Sequence, residues 1–374
     1  MSLSNDEKIR YARHLSLPDF GLEAQEKLKQ AKVLVVGTGG LGAPLLQYLT
    51  AAGVGTIGVV DFDVVDASNL QRQVLFGASD IGKPKTATAT AKLKDQNPHV
   101  GFIEHPLKLD SSNALDIIKS YDLVADGTDN FPTRYLVNDA CVLAGKPLIY
   151  GSIFQYEGQV SVFNYLGGPN YRDLFPTPPP AGMIPSCAEG GVLGVLPGII
   201  GSLQANEVIK VITGNGDTLS GRLFLFDALN VTSRTINIQK DSKNPITGDQ
   251  RSLFELIDYE QFCGTTLPDP METITVQELK NWREADKDFL LLDVRESYEF
   301  DVSNLNCENI SLYDLPTKHQ DLPKDKPIVL YCKSGARSAK AFKVLRNAGF
   351  TNQLSLEGGI TAWCEVYDPK LIVL

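Results

Sequence analysis

Two short stretches of the 374-residue chain combine residue types and spacings that are suited to chemistry. The first is a glycine turn, Gly37, Gly39 and Gly42, which follows a β-branched run and precedes helix-forming residues. Asp61 stands at the end of the next apolar run. Glycines in such a turn let the backbone approach phosphates at a helix N-terminus, and the acidic residue can bind ribose hydroxyls. The pattern predicts a nucleotide site and fits NAD, FAD or ATP equally.

Further residues are expected around this turn, because they follow predicted strand ends, where ligands of doubly wound sheets bind. Together with Gly40 of the turn itself, they are Asn69, Arg72, Gln73, Lys85 and Asp129. ATP carries four negative charges and needs a metal and several cations, whereas a dinucleotide pyrophosphate needs few. This set of side chains therefore favours ATP, while an NAD-dependent oxidoreductase stays open as an alternative.

The second stretch is residues 332–338, a loop that starts at Cys332, follows an apolar strand and precedes a helix. A short loop over a helix N-terminus aims backbone N–H groups at one point, where a sulfur would be held as a thiolate or persulfide anion. Lys333 and Arg337 add positive charge, and Gly335 lets the loop turn tightly. The loop predicts a cysteine that accepts and passes on sulfur.

The elements around both stretches predict an α/β chain with two domains. Apolar runs alternate with helical stretches over residues 1–250, which indicates a doubly wound, Rossmann-like mixed sheet with a long helix over 191–213. Residues 251–272 have the polar, Gly- and Pro-containing composition of a linker, with one short helix over 253–262. Residues 273–374 predict a small α/β domain whose first helix has a capping box, Thr275 and Glu278.

The composition argues against several classes of protein. The net charge is −10, which gives no attraction to phosphate backbones, so a nucleic-acid partner is not expected. The longest uncharged apolar stretch, residues 190–203, is shorter than the ~20 residues that span a bilayer, so no membrane span is expected. Asp6 and Glu7 interrupt the N-terminus. This predicts no signal peptide and a cytoplasmic protein with reduced cysteines.

Taken together, the motifs of the nucleotide site resemble the MoeB/ThiF family, which is related to ubiquitin-activating enzymes. The resemblance covers about residues 5–240 and is carried by the runs 10–14, 61–63, 68–73, 82–85, 126–130, 138–139 and 186–194. The resemblance implies that ATP is the substrate. It also implies that Asp61 binds the ribose and that Asp129 binds a magnesium ion. The triphosphate would be held by Asn69, Arg72 and Lys85, together with Arg13 from a dimer partner. The resemblance also implies a homodimer that acts on a small ubiquitin-like sulfur carrier ending in Gly-Gly, whose terminal carboxylate becomes an acyl adenylate.

Residues 273–374 resemble single-domain rhodaneses, with 332–338 similar to their active-site loop and 292–296 and 356–359 as further landmarks. The fused chain implies an adenylyltransferase and sulfurtransferase, in which a donor such as a cysteine desulfurase supplies the sulfur. Cys332, aided by Arg337, would pass it to the adenylate. Cys187 matches the family cysteine that attacks the adenylate or forms an acyl disulfide. A non-catalytic scaffold that binds a ubiquitin-like partner is the other open alternative.

The sequence departs from the family in one respect. Many relatives carry two Cys-x-x-Cys pairs that bind a structural zinc, but the corresponding stretches here, residues 169–173 and 244–248, contain no Cys or His. Because zinc in proteins is held by such side chains, we expect no tightly bound zinc. Cys141 lies in an apolar helical stretch and is expected in the core.

Overall fold

The computed structural model describes residues 2–179, 190–264 and 271–373, which form two compact units. The first unit extends to Cys263 and the second begins at Gly264. The described helices of the first unit are Asn5–Arg10 (α1), Ala12–Leu15 (α2), Gly21–Gln30 (α3), Gly42–Ala52 (α4), Lys85–Gln96 (α5), Ala114–Lys119 (α6), Phe131–Ala144 (α7), Tyr171–Leu174 (α8), Leu196–Thr213 (α9) and Tyr259–Phe262 (α10). Its strands are Lys32–Val36 (β1), Thr56–Val60 (β2), Gly101–His105 (β3), Leu123–Asp126 (β4), Leu148–Phe154 (β5), Glu157–Phe163 (β6), Arg222–Asp227 (β7) and Thr232–Asn237 (β8).

The first unit is built on one mixed sheet with the strand order β3-β2-β1-β4-β5-β6-β7-β8. Pairing is parallel from β3 to β5 and antiparallel from β5 to β8. Along β1, Val33 and Val35 belong to one core cluster and Leu34 and Val36 to another, so alternate side chains fill a core on each face. The predicted doubly wound, Rossmann-like sheet is thereby confirmed. Its parallel strands bring the carboxyl ends of β1, β2 and β4 to one edge.

Two helices of the first unit are shorter than the sequence pattern predicts. The helix expected from residue 191 begins at Leu196, because Gly191 has a left-handed backbone with φ of +72° and Val192 pairs with Gln155 in an isolated β-bridge. The helix expected over 253–262 is confined to α10, which begins after Asp258, whose carboxylate caps the helix. Cys141 is fully buried in α7, as predicted.

Helix α10 is tied to the core of the first unit by a buried ion pair. The Tyr259 hydroxyl donates to Asp139 Oδ2 at 2.7 Å, and the same carboxylate accepts from Arg172 Nε at 2.8 Å and Nη2 at 2.7 Å. All three side chains are buried. Removing one member of such a group leaves an uncompensated buried charge or polar atom. The stretch just before Cys263 is thus held on the first unit by more than chain continuity.

The second unit is a small α/β fold, as predicted. Its strands are Thr273–Ile274 (β9), Leu290–Asp293 (β10), Glu308–Asn309 (β11), Ile328–Tyr331 (β12) and Gln353–Leu356 (β13). They form a parallel sheet with the order β11-β10-β12-β13-β9. The described helices are Val276–Glu284 (α11), Ser297–Val302 (α12), Leu315–Lys318 (α13), Ala336–Asn347 (α14) and Gly359–Tyr367 (α15). The predicted capping box of Thr275 and Glu278 is present at α11. Among the described helices of the whole chain, none has the length and apolarity that a bilayer crossing requires.

Candidate active sites

The glycine turn connects β1 to α4 and packs tightly against the end of β4. A Cβ atom on Gly42 would lie 2.0 Å from the Gly37 carbonyl oxygen, and one on Gly37 would lie 3.0 Å from the Gly127 carbonyl oxygen. Gly37 also has a left-handed backbone, with φ of +89°. Only glycine fits both positions. The turn can therefore bring the N-terminus of α4 to the strand ends, the placement that binds phosphates in folds of this type.

Asp61 follows β2 and is held beside this turn. Its Oδ2 accepts from the backbone N–H of Thr38 at 2.8 Å and from the Thr38 hydroxyl at 2.7 Å. Its Oδ1 accepts from the backbone N–H of Asp63 at 2.9 Å. A carboxylate offers about four acceptor positions, so one remains for a ligand hydroxyl. Asp63 in turn pairs with the buried Lys85 Nζ at 3.0 Å, which places that cation in the same loop cluster.

The segment that carries Asn69, Arg72 and Gln73 forms a second wall of the cluster. Arg72 Nη1 donates to the Ser68 carbonyl oxygen at 3.0 Å. Gln73 is buried, and a Cβ on Gly39 would lie 3.7 Å from Gln73 Nε2, so this amide stands at the glycine turn. Within the described part of the chain, Gln73 Oε1 is buried without a hydrogen-bond partner. Because unpaired buried polar atoms are costly, this oxygen marks a position where a ligand or water belongs.

Asp129 stands on a turn that Asp126 and Arg134 shape. Asp126 Oδ1 accepts from the backbone N–H of Thr128 at 2.9 Å and from its hydroxyl at 2.6 Å, and Arg134 Nη2 donates to the Thr128 carbonyl oxygen at 3.2 Å. Burial raises the pKa of Asp126. Asp129 itself is exposed, and Asn130 caps α7 directly after it. Asp126 and Arg134 were not assigned roles from the sequence, although the Asp-Gly-Thr run is a recognisable turn signal.

The remaining predicted nucleotide residues are placed as follows. Gly40 lies close to α9, since a Cβ there would be 3.1 Å from Pro197 Cβ. Arg13 lies on α2 with its side chain exposed. Among the contacts described within this chain, none joins Arg13 to the glycine turn. Asp61, Gln73 and Lys85 therefore gather at the strand ends within one chain, whereas Arg13 does not.

The two stretches where many relatives carry zinc ligands are joined here by hydrogen bonds between side chains. Asn170 Nδ2 donates to Thr247 Oγ1 at 2.9 Å, and Asn244 Nδ2 donates to Asp173 Oδ1 at 2.7 Å and to Asn170 Oδ1 at 3.2 Å. Both asparagines are 1% exposed. Buried amides that are fully paired fix their neighbours strongly. This polar cluster links α8 to the segment after β8 through amide, hydroxyl and carboxylate groups.

Asn244→Ala is expected to destabilise the first unit by about 2–4 kcal/mol, because it deprives the buried Asn170 and the half-buried Asp173 of a hydrogen-bond donor each. Its Oδ1 also accepts from the backbone N–H of Ile246 at 3.0 Å, which is lost as well. Denaturant unfolding measures the change. The adjacent exposed Lys243→Ala serves as the control and should change stability by less than about 0.5 kcal/mol. Equal stability of the two variants would contradict a joining role for the cluster.

In the second unit, Cys332 follows β12 and is 1% exposed. Its Sγ accepts from the backbone N–H of Gly335 at 3.2 Å, at the start of α14, and Gly335 has φ of +104°. The Ser338 hydroxyl lies 3.9 Å from the same sulfur and 2.8 Å from the Ser355 hydroxyl. Backbone N–H groups at a helix N-terminus stabilise an anionic sulfur. In the described structure one backbone N–H of the predicted loop, that of Gly335, reaches the Cys332 sulfur.

Two glycines of the 356–359 landmark explain how this loop is held. The backbone N–H of Ile360 donates to the Cys332 carbonyl oxygen at 2.8 Å, and that of Thr361 donates to the Lys333 carbonyl oxygen at 3.1 Å. A Cβ on Gly359 would lie 2.3 Å from the Cys332 carbonyl oxygen, and Gly358 has φ of +68°. Glycine at these positions lets the N-terminus of α15 rest directly on the cysteine loop.

The positive charge that the sequence assigns to Arg337 is paired. Its guanidinium contacts both carboxylate oxygens of the buried Glu299, with Nη2 to Oε1 at 2.8 Å. Lys333 is exposed. Glu299 was missed in the sequence, because its partner lies in a different part of the chain and no local pattern joins them. Cys187, which the sequence proposes as a second reactive thiol, lies outside the described residues.

Comparison with known proteins assigns both units. Residues 11–246 match the ThiF family and residues 275–366 match the Rhodanese-like domain. The chain is 49% identical over 384 aligned positions to a Mycobacterium tuberculosis protein described as "Probable adenylyltransferase/sulfurtransferase MoeZ", with 100% of this chain and 96% of that protein covered. It is 52% identical to the "Sulfur carrier protein adenylyltransferase" of Thermus thermophilus, with 71% of this chain and 99% of that protein covered.

Among solved structures, the crystal structure of E. coli MccB with MccA-N7isoASN matches with a TM-score of 0.59 at 22% identity. The match covers 66% of this chain and 76% of that chain, and it shows a common fold. The family match spans the glycine turn, Asp61, Lys85 and Asp129, and the domain match spans the Cys332 loop. The chain belongs to the ThiF family and carries a C-terminal rhodanese-like domain.

Proposed function

We propose that the chain is an adenylyltransferase and sulfurtransferase that activates the C-terminal glycine of a ubiquitin-like sulfur carrier and converts it to a thiocarboxylate. The observation that carries the proposal is the presence in one chain of two distinct sites. One gathers Asp61, Gln73 and Lys85 at a glycine turn, and the other holds Cys332 at a helix N-terminus. The printed names of the relatives, which include adenylyltransferase, sulfurtransferase and sulfur carrier protein, support the same pairing of activities.

In the first step, the carrier carboxylate attacks the α-phosphorus of ATP, the bond to the pyrophosphate oxygen breaks, and pyrophosphate leaves. No protein nucleophile is needed, because alignment and charge neutralisation supply the catalysis. Asp61 binds the ribose, while Lys85, Arg72 and the partner's Arg13 neutralise the phosphates and the Asn69 amide donates hydrogen bonds to them. The unpaired Gln73 Oε1 at the turn fits a site that is completed by a ligand.

We assign Asp129 to a magnesium ion that accompanies the nucleotide. Mg²⁺ in nucleotide sites takes one or two protein carboxylates and completes its shell with phosphate oxygens and water. One exposed carboxylate on a fixed turn at the strand ends fits this mode of binding. No group of three or more His, Cys, Asp or Glu side chains gathers at this turn or anywhere else in the described residues, so the remaining ligands would come from phosphate and water. The ion would neutralise developing charge on the reacting phosphates.

In the second step, the terminal sulfur of a Cys332 persulfide attacks the carbonyl carbon of the acyl adenylate, and AMP leaves. The product is an acyl disulfide between the carrier and Cys332. We propose that the Cys187 thiolate attacks the Cys332 sulfur of that bond, which releases the thiocarboxylate and leaves a Cys187–Cys332 disulfide. A cellular dithiol then reduces this disulfide, and a cysteine desulfurase renews the persulfide. The chemistry needs a reduced Cys332, so we place the protein in the cytoplasm.

The test is ATP–pyrophosphate exchange with a panel of small β-grasp proteins. We expect exchange with a carrier that ends in Gly-Gly and none with the same carrier truncated by those two residues. Exchange with no carrier of the panel, together with no binding of ATP in calorimetry, would favour the scaffold alternative. Turnover of NADH without a carrier would favour the oxidoreductase. The carrier that supports exchange also identifies the pathway that the chain serves.

Arg13 offers a test of the homodimer. If it completes the site of the partner subunit, Arg13→Ala should lower exchange about 10²- to 10³-fold, as loss of one charge-stabilising group does. Mixing it with Asp129→Ala chains should restore activity, because each mixed dimer then contains one intact site, or about a quarter of all sites after random exchange. Arg10→Ala, an exposed arginine on α1, is the control and should keep full activity. Absence of recovery in the mixture would contradict a shared site.

A further inference from the structure

The cysteine loop of the second unit is accompanied by an ion pair that the proposed chemistry does not itself require. Arg337 is the second residue of α14, and Glu299 is the third residue of α12. The carboxylate of Glu299 accepts from both terminal nitrogens of Arg337 and from the backbone N–H of Glu296 at 3.1 Å. The side chains of Arg337 and Glu299 are 13% and 5% exposed. A bidentate pair of this kind fixes the guanidinium and cancels most of its charge.

This ion pair reduces the attraction of the cysteine loop for anions. Of the two cations beside Cys332 in the sequence, the one on α14 is neutralised and the other, Lys333, is exposed to solvent, where salt screens it. Among the described residues, the groups that form hydrogen bonds with the sulfur are neutral, a backbone N–H of Gly335 and the Ser338 hydroxyl. A small dianionic sulfur donor gains most from unpaired cations near its target. The loop as built gives such a donor little electrostatic help.

The surface beside the pair favours a larger donor. On the same helix as Glu299, Tyr298 is 60% exposed and Val302 is 50% exposed. Exposed tyrosine and aliphatic side chains are typical of protein contacts, where they supply buried area at low entropic cost. Such side chains contribute nothing to the binding of an inorganic anion.

We infer that Glu299 determines sulfur-donor specificity, because by neutralising Arg337 it disfavours small anionic donors and leaves Cys332 to sulfur presented on a cysteine of another protein. The inference rests on the proposed sulfurtransferase function. With thiosulfate, the Cys332 thiolate attacks the sulfane sulfur, the S–S bond breaks, and sulfite leaves with the electron pair. With methanethiosulfonate, the leaving group is methanesulfinate. With a protein persulfide, the terminal sulfur transfers and a protein thiolate leaves. Each route forms the same Cys332 persulfide.

The test compares Glu299→Gln with the wild-type full chain, using cyanide as acceptor and thiocyanate as product. The variant keeps the shape of the side chain and removes the negative charge that faces Arg337. We expect the KM for thiosulfate, a dianion, to fall about fivefold and the KM for methanethiosulfonate, a monoanion, to fall about twofold, since the attraction scales with donor charge. Transfer from a cysteine desulfurase loaded with L-cysteine should not improve. Asp301→Asn makes the same charge change at an exposed position of α12 and should leave all three rates unchanged.

Two further variants separate charge from shape. In an Arg337→Gln background, Glu299→Gln should no longer lower the KM for thiosulfate. Ala336→Arg adds an unpaired cation at an exposed position of the loop, does not touch the buried pair, and should lower that KM even if Glu299→Gln does not fold. An unchanged KM for thiosulfate in both Glu299→Gln and Ala336→Arg, or a loss of kcat that is equal for all donors, would overturn the inference. Absence of thiocyanate from the wild-type chain with any donor would instead overturn the proposed function.

Discussion

Asp129→Ala is expected to lower carrier-dependent ATP–pyrophosphate exchange by at least about 10³-fold while leaving the first unit folded. Asp129 is exposed, and the turn beneath it is held by Asp126, Thr128 and Arg134, none of which contacts the Asp129 carboxylate in a described hydrogen bond. The loss would therefore reflect the missing charge at the reacting phosphates and not a collapsed loop. Exchange of labelled pyrophosphate into ATP measures it.

Asp116→Ala is a matched control for Asp129→Ala, because Asp116 is also exposed and lies on α6, where the one ion pair described for its carboxylate is a 3.9 Å contact with Lys119. It should keep wild-type exchange. Asp129→Asn adds a second comparison, since it keeps the shape of the side chain and removes the charge, and we expect it to be nearly as inactive as alanine. Wild-type exchange in Asp129→Ala would refute the assignment of this residue to the metal.

Cys332→Ala is expected to abolish sulfur transfer from thiosulfate to cyanide and formation of the carrier thiocarboxylate, with ATP–pyrophosphate exchange unchanged. The reason is that the nucleotide residues belong to the first unit and the cysteine loop to the second. Adenylation needs no protein thiol, whereas the persulfide needs the Cys332 sulfur itself. Mass spectrometry of the carrier detects the replacement of one oxygen by sulfur.

Cys364→Ala is the control for this second prediction, because Cys364 is a buried cysteine of the same unit, on α15, for which no hydrogen bond to the Cys332 loop is described. It should retain sulfur transfer after correction for the fraction that is folded. A full yield of thiocarboxylate from Cys332→Ala, with the desulfurase as donor and no added sulfide, would show that Cys332 does not carry the sulfur.

The elements that hold these sites were predictable where their cores are built from local apolar runs. Strands β10 and β12 consist of consecutive buried residues, as does β1 after its exposed first residue, Lys32, and such runs are visible in any sequence. The edge strand β3 was not predicted, because most of its residues are not buried and its sequence lacks an apolar run. The predicted start of the long helix α9 was five residues too early, since the apolar pattern of the sequence does not reveal that Gly191 has a left-handed backbone.

The residue types of the sites were also predictable, but their partners were not. Asp63 pairs with Lys85 only because the end of β2 and the start of α5 meet at the sheet edge. Glu299 reaches Arg337 only because β10 and β12 are neighbours in the second sheet, which places the helices that follow them side by side. Such pairs depend on strand order, and strand order is not a local property of the chain.

The contact between α15 and the cysteine loop has a consequence for hydrogen exchange. The amide protons of Ile360 and Thr361 are bonded to the carbonyl oxygens of Cys332 and Lys333, so they exchange with solvent only when the helix end separates from the loop. The protection factors of these two amides therefore measure the free energy needed to separate α15 from the Cys332 loop, although neither residue belongs to that loop. Since persulfide formation alters only the side chain of Cys332, these two amides should exchange at the same rate in the thiol and persulfide forms.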